Sequence, residues 1–223
     1  MHDYRFAGSQ YNKSFFDLKE KKELYMKDLK RKHPRAKDIY NIIKTKSNTE
    51  NEDFRYLYNN TCVYCGVNIK VIDSSKFEVD HVIPKSILKT KVTLPTYLSS
   101  YTEAHIHNIN NLVCSCQACN RWKTAFFCND EKNTDILHPD EDKLHTIFFR
   151  NDNYEITMYE KYKDIEDIVQ FYEMLKLGSQ IRRIDYLLVE INDYIDSLDK
   201  TDKRYNLISD LLRKIERKRR LSS

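Results

Sequence analysis

The sequence predicts an α+β protein, a small strand-and-helix core set between helical extensions, and three observations carry that prediction. Two Cys-x-x-Cys pairs, Cys62/Cys65 and Cys116/Cys119, are spaced so that four thiolates can converge on one tetrahedral zinc ion once the chain between them folds back. Between the pairs runs a β-branched stretch that ends in Asp80-His81. On either side, apolar residues recur three and four apart among charged ones, which is the helical period.

A chain of 223 residues with 40% hydrophobic content can bury a modest core. Met1-His2-Asp3-Tyr4-Arg5 leads straight into polar sequence, so neither a secretory signal nor a membrane span is expected, and the default compartment is the cytosol. Reducing conditions there favour metal ligation over disulfides for four of the six cysteines, with Cys114 and Cys128 as spares. A four-thiolate zinc takes two from the formal charge of +4, leaving about +2, so overall charge decides little. Its distribution says more: 19–32 and 213–220 are locally basic and suit a polyanion if they share a face, although solvated helix surfaces look the same.

Taken in order, Tyr11 to His33 reads as an amphipathic helix through Phe15, Leu18, Tyr25, Met26 and Leu29, stopped by Pro34. Arg35 to about Lys46 is a second helix carrying Ile39, Ile42 and Ile43. After a polar loop at 47–51 with capping residues, Glu52 to Tyr58 is a third. Beyond Gly66, Val67 to Ile72 and Phe77 to His81 read as the two strands of a hairpin turned at Asp73-Ser74-Ser75. Pro84 ends the ladder, and 85–110 is a long polar segment with one short helix near Ile87 to Lys91. Asn111-Leu112-Val113 returns the chain to a helix over Gln117 to Ala125.

Past Asp130, two β-like runs, His145 to Phe149 and Tyr154 to Met158, predict a second hairpin. Three helices follow: one striped by Ile165, Ile168, Val169, Tyr172 and Leu175 and stopped by Gly178, a long one from Ile181 to Leu198, and a last one through Leu207, Leu211 and Ile215. The chain thus divides into an N-terminal helical region (1–60), a core with the zinc site (61–128), a β-hairpin extension (129–160) and a C-terminal helical region (161–223), with no repeat or low-complexity tract.

A zinc closed by four thiolates has no open position, so it holds structure and does not activate water. Catalysis beside it needs a second ion, and Asp80 with the side-chain carbonyl of Asn120 offers hard oxygen donors suited to Mg²⁺ or Mn²⁺. His81, with an ordinary pKa of about 6.5, can be neutral and take a proton from water. Neighbours on a strand point to opposite faces unless the strand ends or bulges there, so Asp80 can face the ion while His81 turns to the substrate. Asn111 is spaced to fix the loop carrying His81 through its amide.

Cys62-x-x-Cys65, Val79-Asp80-His81-Val82-Ile83-Pro84-Lys85-Ser86, Asn111-Leu112-Val113 and Cys116-x-x-Cys119-Asn120-Arg121-Trp122-Lys123 together resemble the HNH endonucleases, over about the middle third of the chain. The resemblance implies a ββα-metal nuclease core. It makes His81 the general base, Asp80 a metal ligand, Asn111 the central asparagine, and Asn120 the last letter, often histidine, in a variant similar to the HNH domain of RNA-guided CRISPR effectors. Lys123 resembles the family's phosphate-contacting lysine, and Arg121 and Lys85 join it as expected nucleic-acid contacts. The segment between His81 and Asn111 is longer than usual and lacks the glycines often found after the motif's proline and lysine, so Asn108 and Asn110 compete with Asn111. His105 and His107 read as loop or core residues, and Trp122 as packed.

The implied reaction is metal-dependent hydrolysis of a phosphodiester, with duplex DNA the expected substrate and a role in bacterial anti-phage defence or restriction. Two other readings are open. One is a zinc-stapled nucleic-acid-binding or adaptor module that does not cleave. The other is a nuclease subunit of a defence assembly, held inactive until a partner such as an ATPase senses invasion, with the apolar stripes from Ile165 onward serving docking.

Overall fold

In the computed structural model, which describes residues 2–36, 38–89 and 94–222, a two-stranded antiparallel sheet lies at the centre with helices on both sides of it in sequence. The N-terminal region supplies α1 (Leu18–Lys32), α2 (Ile39–Ile43) and α3 (Thr49–Leu57). Leu18, Lys22, Tyr25 and Leu29 are buried along one face of α1, whose last turn carries Lys30, Arg31 and Lys32 against the negative end of the helix dipole. Helix α2 starts where Asp38 accepts from the Tyr40 amide, and α3 where Asn48 accepts from the Asn51 amide. That second cap explains why α3 begins at Thr49 and not at Glu52. α1 and α3 pack together, and the Tyr25 hydroxyl donates to the Glu50 carbonyl.

The central strands are β1 (Phe77–His81) and β2 (Leu112–Cys116), in a register that sets Phe77 opposite Cys116 and His81 opposite Leu112. This corrects the hairpin expected between Val67–Ile72 and Phe77–His81. Residues 67–72 form no strand of that kind: Val67 returns its carbonyl to the Cys62 amide, Asn68 makes an isolated antiparallel bridge to Thr61, and the chain then turns, with Val71 and Ile72 both donating to the Asn68 carbonyl. The chain has to double back straight after the first cysteine pair, so Val67 is spent covering that turn. Strand propensity loses to this tertiary constraint.

Between the strands, 3₁₀ turns at Lys85–Leu88, Thr96–Leu98 and Ile109–Asn111 and the short α4 (Glu103–Ile106) enclose a small apolar cluster of Ile83, Ile87, Leu98 and Ile106. The short helix expected near Ile87 to Lys91 is a 3₁₀ turn over Lys85–Leu88, and Lys91 itself lies outside the described residues. After β2 the chain passes directly into α5 (Gln117–Lys123), which lies against both strands. α6 (Glu131–Leu137), absent from the sequence reading, begins where Asp130 accepts from the Lys132 amide. Asp167 fastens it by accepting from the Asn129 and Asp130 amides and the Asn133 side chain.

The second hairpin forms as β3 (Phe148–Arg150) and β4 (Ile156–Met158). α7 (Glu166–Met174) follows, then α8 (Gln180–Asp196), and α9 (Lys203–Ser222) folds back antiparallel along α8. Arg204 at the start of α9 meets Tyr194, and Arg219 near its end meets Asp185. Only part of the expected α9 stripe is covered, since Leu207 and Leu211 remain exposed. One large apolar core runs from Tyr4 and Phe6 through the cysteine-rich centre to Phe171, Leu175 and Leu177. No described helix is long and apolar enough to cross a membrane.

Candidate functional site

Both Cys-x-x-Cys pairs sit on turns that the sheet brings together. In the first, the Cys62 amide donates to Val67, the Gly66 amide returns to Cys62, and the Val63 amide donates to the Cys114 carbonyl of β2. Gly66 has a φ of +80°, and a Cβ there would lie 2.3 Å from the Arg5 carbonyl oxygen, so only glycine closes this turn. In the second, β2 ends in Cys116, which caps α5 by accepting from the Cys119 amide at 3.4 Å. All four Sγ atoms, buried, lie within 4.8 Å of one another, and this buried cluster can hold a metal ion. The Cys65 and Cys116 sulfurs stand 3.9 Å apart.

Four thiols shut away from water cannot all ionise without a cation. Burial pushes Cys65 and Cys119 well above the usual thiol range, whereas hydrogen bonds from the other three cysteines hold Cys116 well below it. Arg182, from α8, reaches in with charge. Its Nη2 donates to Cys119 Sγ at 3.0 Å and to the Leu175 carbonyl at 3.2 Å, and its guanidinium lies 5.0 Å from the centre of the Trp122 ring. Burial works against the guanidinium, but the negative charge of the cysteines outweighs it and raises its pKa further. Sequence reasoning missed Arg182, because in a long amphipathic helix an arginine beside Ile181 and Ile184 gives no sign of facing inward.

Along β1, Glu78 and Asp80 point to the α5 side by strand alternation, and Asn120 and Lys123, one turn apart, answer them. Asn120 Nδ2 donates to Glu78 Oε2 at 2.7 Å, and Gln117 Nε2 donates to Oε1 of the same carboxylate at 3.3 Å. Asp80 accepts from the Tyr64 hydroxyl at 2.9 Å and lies 3.4 Å from Lys123 Nζ. Burial raises the Asp80 pKa against the pull of Lys123 and Tyr64. The two residues expected to share an ion are therefore on one face but bonded to different partners, and Glu78, which the sequence reading did not single out, stands beside Asn120. Lys123 is only 2% exposed and donates to the His81 carbonyl at 2.8 Å. In this arrangement it braces the end of β1 from inside and does not present its ammonium to solvent, whereas Arg121 and Lys85 are exposed.

Asn111 holds the turn that follows His81. Its Oδ1 accepts from the Ile83 amide at 2.8 Å, and its Nδ2 donates to the carbonyls of Ile83 at 3.0 Å and Ile106 at 2.8 Å. Its two competitors are placed elsewhere: Asn108 caps the turn at 109–111, and the Asn110 carbonyl faces His138.

His81 points away from α5. The residue is 5% exposed, and its Nε2 is buried with no hydrogen-bond partner. Its ring lies 4.5 Å from that of Tyr40 on α2 and 5.3 Å from that of His107. Burial first, then the positive charges of Lys85, His107 and Lys123, lower its pKa to about 3, so the imidazole is neutral at neutral pH. His105 serves the start of α4 through Thr102, and Trp122 packs between Lys176 and Arg182.

No family description, curated protein or solved structure matches this chain. The site therefore rests on its own geometry. One other group of potential ligands, Asp3, Asp142 and His145, comes together among the described residues. There the Arg5 guanidinium takes both oxygens of Asp3 and approaches Asp142 at 3.6 Å, so the charges are already paired.

Proposed function

We propose that the chain is a metal-dependent endonuclease of the HNH type, with His81 as general base at a phosphodiester of duplex DNA and a structural zinc in the Cys62/Cys65/Cys116/Cys119 cluster. The observation that carries this reading is the His81 imidazole: neutral, buried, its Nε2 without a partner, and held in place by the three-bond clasp of Asn111 on the turn behind it. A histidine kept in place for packing alone gains nothing from an unsatisfied ring nitrogen.

The cysteine cluster fits zinc. A tetrahedral ion with Zn–S near 2.3 Å sets its sulfurs about 3.8 Å apart, beside the 3.9 Å between Cys65 and Cys116. The Arg182 guanidinium offsets the negative charge that four thiolates leave on such a centre. For Mg²⁺ or Mn²⁺ the donors are of the right chemical kind in Asp80 and Asn120, which would hold the ion in competition with Lys123 and Glu78. Bound there, it would supply charge neutralisation at the phosphate.

The protein's own residues do the rest. His81 Nε2 takes a proton from a water whose oxygen forms the new bond to phosphorus. The bond to the 3′ oxygen breaks, that oxygen takes a proton from solvent, and His81 later returns its own proton to solvent, so the products are a 3′ hydroxyl and a 5′ phosphate. The phosphate's negative charge counters Lys85 and His107 and so raises the basicity of His81 when substrate is present. Asn111 keeps the imidazole from drifting, and Lys123 keeps the strand end closed.

A plasmid cleavage assay with Mg²⁺ or Mn²⁺ tests the reading: wild type cuts and His81→Ala does not. Equal activity in the two would remove it. A second reading, a non-cleaving nucleic-acid-binding or adaptor module, is favoured by the covering of His81 by Tyr40. It expects salt-sensitive DNA binding, unchanged in His81→Ala, with no cutting in either protein.

A further inference from the structure

We propose that Tyr40 gates the His81 site and that Lys44 and Lys85 are the phosphate contacts that draw a phosphodiester onto it. The inference rests on the reading of His81 as the base, and it brings the N-terminal region into the site, which neither the motif nor its spacing does.

A base that removes a proton from water beside a nucleic-acid backbone has to be reached by both. His81 is not reached as the chain stands, because Tyr40 on α2 lies over it and His107 closes the side. What holds this roof is specific. Asp38, the residue that caps α2, turns its Oδ2 to His107 Nδ1 at 3.1 Å, which fastens the start of the helix to the far wall of the site. The Tyr40 ring itself is held by ring contacts and by two ammonium groups, Lys85 Nζ at 4.5 Å and Lys44 Nζ at 5.1 Å from its centre.

Both ammoniums are on exposed residues, and neither has a carboxylate partner among the described ion pairs. Among the described residues, Lys44 and Lys85 stand on the Tyr40 ring, and Lys85, His107 and, behind the strand end, Lys123 act on His81, while Asp38 is spent on His107 and on α2. Lys44 and Lys85 are thus two cations without a carboxylate among the described ion pairs. An exposed cation–π contact is weaker than an ammonium–phosphate hydrogen bond, so a phosphodiester arriving here takes the lysines from the ring, and the ring is left without its clamps.

The test reads access to His81 directly, with the intact chain. Diethyl pyrocarbonate modifies neutral, exposed imidazoles, and peptide mass spectrometry reports the rate at His81 alone. Wild type and Tyr40→Phe, which keeps the ring, should be modified slowly, and Tyr40→Ala at least about tenfold faster, since the rate follows the open fraction. Equal rates in wild type and Tyr40→Ala overturn the gate. In cleavage assays at low salt, Lys44→Ala/Lys85→Ala should raise KM about tenfold with kcat little changed, as loss of two backbone contacts does; an unchanged KM overturns the phosphate role of the lysines. If no variant cleaves DNA while Tyr40→Ala still exposes His81, the gate stands and the nuclease reading fails.

Discussion

Arg182 Nη2 lies 3.0 Å from Cys119 Sγ, so a helix far along the chain completes the electrostatics of a cluster formed by two earlier turns. Arg182→Gln should leave the four sulfurs in place but remove the charge that balances them. We expect metal held 10–100-fold less tightly, the usual cost of losing a partner to a ligand. Competition with a chromophoric chelator measures it, and unchanged retention would mean that the arginine only packs.

Asn111→Ala removes one acceptor and two donors from a buried turn, leaving the Ile83 amide and the Ile83 and Ile106 carbonyls without partners. The expected loss is about 2–4 kcal/mol, read as a shift of the urea midpoint at constant slope. Under the nuclease reading cleavage should fall on the order of a hundredfold at temperatures where the variant is folded, because the imidazole loses its fixed position.

Lys22 is fully buried and donates to the Leu112 carbonyl at 2.6 Å as well as pairing with Asp140, which also accepts from Tyr58. Lys22→Met should destabilise the fold by about 3–5 kcal/mol, because it strands a buried carboxylate. Adding Asp140→Leu should recover at least about half of that, since the stranded charge then disappears. A double-mutant cycle by urea unfolding decides between this account and simple loss of packing.

His81 is held neutral by burial, with a folded pKa of about 3 against an unfolded value near 6.5. A group depressed in this way contributes stability that is complete above the unfolded value and is lost as pH falls from 6.5 toward 3. The melting temperature should therefore drop across that window, and less steeply in His81→Ala. His138, also depressed by burial, contributes to the slope of both proteins, so the difference between them isolates His81.

Much of the centre could be read in advance from local chemistry. Four cysteines at metal-ligand spacing, a strand ending at His81 and a helix opened by Cys116 all declare themselves within a few residues. The partner of β1 does not, because pairing between Phe77–His81 and Leu112–Cys116 is decided across a long connection, and the β-branched run after Gly66 offered a nearer and mistaken alternative. Helix α6 escaped notice because Glu131–Leu137 buries only Leu137 and shows no apolar stripe. Tyr40 and His107 were invisible for a different reason: their importance lies in what they touch, and neither the Asp38 cap nor a histidine in a loop marks a contact with His81.

The wide separation of the two cysteine pairs bears on how the chain assembles. Among the described residues neither β1 nor β2 has another strand to lean on, and a lone two-stranded ribbon is marginal in water. Without an ion in the cluster, the newly made polypeptide would have to bring its two cysteine turns together against the entropy of the connection between them, with the edge at Phe77–His81 open to pairing with a neighbouring molecule. Under the proposal that zinc fills the cysteine cluster, a supply of metal during synthesis would decide yield before it decides stability, and starved cells should accumulate this protein as aggregate, with little of it as a soluble, empty form.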